Sequence, residues 1–74
     1  ALKAFLTETM IENDLKFPIH DFRTVIGHTH TNMIFDVVVP FDYPLSEGEI
    51  KEKISNAVFA KRSNCYCVIT VDRG

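Results

Sequence analysis

The sequence predicts an α+β domain in which two helices pack on one face of a three-stranded sheet, in the order α-β-β-α-β. Two observations carry the prediction. Apolar residues recur at helical spacing along the first and fourth segments, and they alternate at strand spacing in three others. Elements with one apolar face each bury those faces most economically as one layer of helices on one sheet.

The first helix is read from "ALKAFLTETMIEN", where Leu2, Phe5, Leu6 and Met10 lie at i, i+3, i+4 and i+8 and form one stripe. Pro18 is expected to break it, because proline disfavours helical geometry in the residue before it. Two strands follow, Ile19–Ile26 and Asn32–Val39, joined by a turn-like "GHTHT" around Gly27. Pro40 should end the second by removing a ladder donor. Ser46 and Glu49 form an S-x-x-E capping box ahead of a helix whose inner face is Ile50, Ile54, Ala57 and Val58. "CYCVITVD" alternates again and makes the last strand.

The 74 residues suffice for one domain, residues 1–74. A chain this short buries only about 60% of its unfolded surface, so a metal or a second subunit would add useful stability. Cys65 and Cys67 are one residue apart, too close for a useful bridge, and are expected as reduced, buried thiols. The net charge is −2 and the eight basic residues are scattered, so no basic stripe marks a nucleic-acid partner. No apolar run approaches the ~20 residues that cross a bilayer, and no signal peptide is visible. The chain opens at Ala1 within a helical pattern and without an initiator Met, so a fragment of a longer protein is expected. No activated nucleophile stands out and Ser46 is explained as a cap, so an enzyme is not expected.

Strand parity assigns the faces. Met33, Phe35, Val37 and Val39, with Cys65, Cys67, Ile69 and Val71, form the apolar sets that should meet the helices. The opposite face is mixed: Ile34, Asp36 and Val38 on one strand, Tyr66, Val68, Thr70 and Asp72 on the other. Phe22 is expected there too. A face of this composition suits a partner surface. If the hairpin turn is centred near His28, antiparallel register sets His20 opposite Asp36, within reach of Asp72. One imidazole and two carboxylates suit a divalent ion of borderline hardness, namely zinc, manganese or iron(II). A register slip of one residue would turn His20 away.

Each candidate has a plainer explanation beside the metal one. His20 can simply bond a neighbouring carboxylate. Asp21, a weaker ligand candidate, can pair with Arg23 or a turn amide. His28 and His30, also weaker candidates, form an H-T-H at a loop tip, where solvated side chains are the commoner case. Asp36 is the most informative residue, because a charge among apolar strand residues is costly unless paired or ligating.

"IHDFRT", "FDVVVP", "LSEGEIKEKI" and "YCVITVD" together resemble the cytoplasmic C-terminal domain of cation diffusion facilitator transporters. The likeness runs from Ile19 to Asp72. It implies a ferredoxin-like, metallochaperone-like αββαβ fold and a homodimer beneath a helical membrane domain of the same polypeptide. It also implies a place at the cytoplasmic face of the cell membrane, and divalent metal, zinc above all, bound near the dimer interface to favour transport. By the same resemblance His20 and Asp72 stand at metal-binding positions. Asp36 and Thr70 stand where such domains often carry histidine, a departure that tilts the set toward harder ions or weaker binding. Two other readings stay open: a metal-independent dimerisation module, and a free-standing ferredoxin-like domain that binds a small ligand or a protein.

Overall fold

The computed structural model describes every residue from Ala1 to Gly74. Its elements are α1 (Leu2–Glu12), β1 (Ile19–Ile26), β2 (Thr31–Val39), α2 (Glu47–Lys61) and β3 (Cys65–Arg73), the predicted α+β order. The sheet runs β1-β2-β3, with β1 antiparallel and β3 parallel to β2. The parallel pair requires a crossover, and α2 supplies it.

α1 starts at Ala1 without a side-chain cap, so its hold comes from packing. Its stop differs from the proline signal. Asp14 takes φ 60, while the amides of Asp14 and Leu15 donate to the carbonyls of Ile11 and Met10. That is a Schellman closure with Asp14 in the left-handed position usually given to glycine, and with Leu15 and Met10 buried together. The helix therefore ends before Pro18 can act on it. The carbonyl of Pro18 instead accepts from the Val38 amide at 3.0 Å, at the mouth of the hairpin.

α2 begins as the sequence indicates. The Ser46 hydroxyl accepts from the Glu49 amide at 3.2 Å, and the Ser46 amide donates to the Glu49 carboxylate at 3.1 Å. Ile50, Ile54 and Val58 are fully buried. They meet Met33, Phe35, Val37 and Val39 from β2 and Cys65, Ile69 and Val71 from β3 in one core, which Leu6, Met10 and Leu15 complete. Thr9 is buried as well, its hydroxyl donating to the Phe5 carbonyl at 2.7 Å and so leaving no orphaned donor. Lys61 pairs with Glu12 between the helices. The Arg73 guanidinium donates to the carbonyls of Pro40 (3.3 Å), Tyr43 (2.9 Å) and Leu45, fixing the β2–α2 loop against the end of β3.

Candidate functional site: the bare face of the sheet

Both helices lie on one side of the sheet, so its other side carries the mixed set. Alternation and register arrange it in rows across the strands. Arg23, Ile34 and Val68 form one row, and His20, Asp36 and Thr70 the next. Val38 and Asp72 come after these, and Asn32 and Tyr66 lie on the far side of the first row. The face is thus polarised. Toward the hairpin it is largely apolar, with Tyr66 49% and Val68 52% exposed beside Ile34. Toward the other end it collects carboxylates and the imidazole of His20.

His20 pairs with Asp36, as expected, but the turn alone does not set this: the hairpin pairs Ile26 with Thr31, and that register carried straight on would put His20 opposite Val37. The route to it includes a feature absent from simple parity. Between His20 and Arg23 the register shifts by one, and Asp21 takes φ 54. The register leaves two β1 residues, Asp21 and Phe22, against Phe35 alone, which is a β-bulge. Phe22 is therefore turned to the helix side. It packs on the core with its ring 6.3 Å from that of Phe35, and the expectation that it lies on the mixed face is corrected. Arg23 takes its place on that face, donating from Nη1 to the carbonyl oxygen of Asp21 at 3.3 Å. Aspartate tolerates the left-handed conformation better than most residues, but nothing in "HDFR" distinguishes a bulge from a regular strand.

The bulge also brings the Asp21 carboxyl to Asp36. The Asp36 carboxyl is held above its usual range, first by partial desolvation on the sheet, then by a hydrogen bond with Asp21 and that group's charge, then by Asp72. The nearby Arg23 guanidinium acts in the opposite sense. Two carboxyl groups share a hydrogen bond only when one is protonated. Asp21, Asp36 and Asp72 thus form a patch of mutual repulsion that a proton, a cation or a basic partner would relieve. Asp72 reaches it from one row away, since its direct neighbour on β2 is Val38.

Within one chain no group of three or more His, Cys, Asp or Glu side chains is placed to hold a single ion. His20 and Asp36 are brought together as neighbours, with Asp72 at the margin. The H-T-H histidines do not join them. His30 stacks on Tyr66, centroids 4.8 Å apart at 19°, and its Nδ1 shares a hydrogen bond with the Thr29 hydroxyl at 3.2 Å. His28 stays exposed in the turn. Gly27 closes that turn, donating to the His30 carbonyl at 2.9 Å, and a Cβ on it would stand only 2.9 Å from that same oxygen.

Cys65 and Cys67 face the helices, Cys65 buried and Cys67 partly so. Desolvation, and secondarily Cys65, pushes the Cys67 thiol up to about 11, which keeps it protonated and a poor ligand at neutral pH. No helix is long and apolar enough to cross a membrane. No protein-family model, curated protein or solved structure matches the chain.

Proposed function

We propose that this domain is the cytoplasmic dimerisation and metal-sensing part of a cation diffusion facilitator transporter, and that its bare sheet face receives a second copy. One observation carries the reading: a sheet face left open by both helices, apolar at one end and carboxylate-rich at the other, with His20 set directly opposite Asp36. The αββαβ order agrees with what the family likeness implies, and it supports the reading without identifying the family.

An ion on this face takes its donors from two copies, because one chain does not converge three of them. His20, Asp36 and Asp72 are the residues to hold it, with Asp21 as an oxygen donor that the bulge adds to the neighbourhood. The ion would supply positive charge where the carboxylates repel one another. Zinc is the principal candidate. The oxygen-rich set also admits manganese or iron(II). Binding across the two copies would couple ion occupancy to dimer arrangement, shifting a population between states according to its differential affinity. In the parent transporter that shift would favour transport by a membrane domain of the same polypeptide.

Sedimentation and calorimetry test the proposal together. Zinc or manganese should promote the dimer and chelator should reverse it, with the response lost in a His20→Ala, Asp36→Ala double variant. Ile34→Glu, a charge in the middle of the face, should weaken the dimer under all conditions. A dimer indifferent to chelator would select the metal-independent dimerisation module. A chain that stays monomeric with every metal, at any concentration, would remove the face from the account and favour a free-standing ligand- or protein-binding domain.

A further inference from the structure

The sheet has two edges, and the sequence treats them differently. β1 guards its edge with Pro18 at its entrance and with the bulge at Asp21 and Phe22, both devices that discourage strand addition. β3 has neither. It pairs with β2 residue for residue from Cys65 to Arg73 without a register shift, contains no proline or lysine, and is charged only at its last two positions.

Its outward groups can be identified. The Thr31 amide donates to the Asn64 carbonyl at 2.8 Å, and the Gly74 amide donates to the Val39 carbonyl at 3.1 Å. In a parallel ladder alternate residues of a strand bond the same neighbour. Tyr66, Val68, Thr70 and Asp72 therefore serve β2, while the amides and carbonyls of Cys67, Ile69 and Val71 point to the open edge. Large apolar side chains flank this row on both sides. Tyr66 and Val68 are half exposed on the sheet face, and Phe59 of α2 is 52% exposed on the helix side. Phe59 and Tyr66 line one groove with Cys65 and Cys67.

We infer that the β3 edge is a second self-association surface, on which an identical β3 adds antiparallel about a twofold axis at Ile69. This register satisfies the whole outward row: Ile69 meets its own copy, and Cys67 meets Val71 of the second chain. It also overlaps the two strands over their whole length, Cys65 to Arg73, and registers centred elsewhere shorten that overlap. On the sheet face it places Tyr66 beside Asp72 of the second chain and Val68 beside Thr70, so no like charges oppose each other and a phenol stands next to a carboxylate. Identical strands can complete one another in this way because a twofold contact is self-complementary. The edge contact is made by backbone groups in the plane of the sheet and the face contact by side chains above it, so the two together would build assemblies larger than a dimer.

Amide hydrogen exchange on the chain at low and high protein concentration tests the inference. Exchange at Cys67, Ile69 and Val71 should slow about tenfold on concentration, while Tyr66, Val68 and Thr70, already bonded to β2, should change little. The effect should persist in Ile34→Glu, which disables the face, and vanish in Phe59→Glu, which sets a charge beside the edge at a half-exposed site. Concentration-independent exchange at the three outward amides overturns the inference. So does slowing that Ile34→Glu abolishes and Phe59→Glu spares, because the face alone would then be the contact. Protection seen only after a different polypeptide is added assigns the edge to that polypeptide and overturns self-association as well.

Discussion

Asp36 concentrates the chemistry of the bare face in one side chain. Its carboxyl is raised because desolvation, Asp21 and Asp72 all disfavour its charge. The folded chain then holds this proton to higher pH than the unfolded chain does. Its contribution to stability is full below the ordinary value of 3.8 and is lost as pH rises through the higher folded value. Asp36→Asn keeps the shape and removes the charge, so it should melt above the parent at neutral pH. The gap should close as pH falls toward 3.8, which thermal denaturation across pH would show. A parent protein that equals or exceeds Asp36→Asn at neutral pH in the absence of metal would mean the carboxylates do not strain the fold. The pairing of Asp36 with His20 agrees with the expectation from the sequence through two offsetting steps: the hairpin pairs Ile26 with Thr31, half a residue beyond a turn centred on His28, and the bulge returns the register to His20 opposite Asp36. The part played by Asp21 was not legible in the sequence, because a single left-handed residue decides it.

Among the elements, the helix caps divide into one that the sequence announces and one that it conceals. The capping box of α2 is written in Ser46 and Glu49, and both reciprocal bonds form. Ser46→Ala should cost about 1 kcal/mol in urea denaturation. The cap also predicts its own pH dependence. Bonds from the Ser46 backbone and hydroxyl hold the Glu49 carboxyl below its usual 4.5, so its contribution is present above that value and is lost as pH falls through the lower folded one. Ser46→Ala should therefore cost less in strong acid than at neutral pH. The end of α1 is concealed because Asp14 does there what glycine usually does, and the more obvious Pro18 draws the eye past it. The bulge in β1 is hidden in the same way. It reverses the side taken by Phe22, and periodicity alone cannot register one inserted residue. Asp21→Val tests it. A β-branched residue at φ 54 should destabilise the chain by about 1–2 kcal/mol. A neutral result would show that β1 can relax to a regular strand.

For the whole molecule, small size makes association and stability one question. A domain of 74 residues carries a stability of roughly 4–11 kcal/mol at ordinary values per residue. Truncating Phe35, buried at the centre of β2, should remove about 3–5 kcal/mol, a large part of that total. The same small surplus makes a bound partner conspicuous, since ligand at a hundred times its dissociation constant adds about 2.7 kcal/mol. With a second copy on the bare face, as proposed, the melting temperature should rise with protein concentration, and rise less steeply in Ile34→Glu, where that face is spoiled. On the proposed reading zinc should raise it further only while His20 and Asp36 are present, because one chain does not bring three such donors together and the ion would draw on two copies. In His20→Ala, Asp36→Ala the concentration dependence should survive without a response to zinc. A chain that zinc stabilises equally at all protein concentrations would place the ion within a single copy, and would separate metal binding from association.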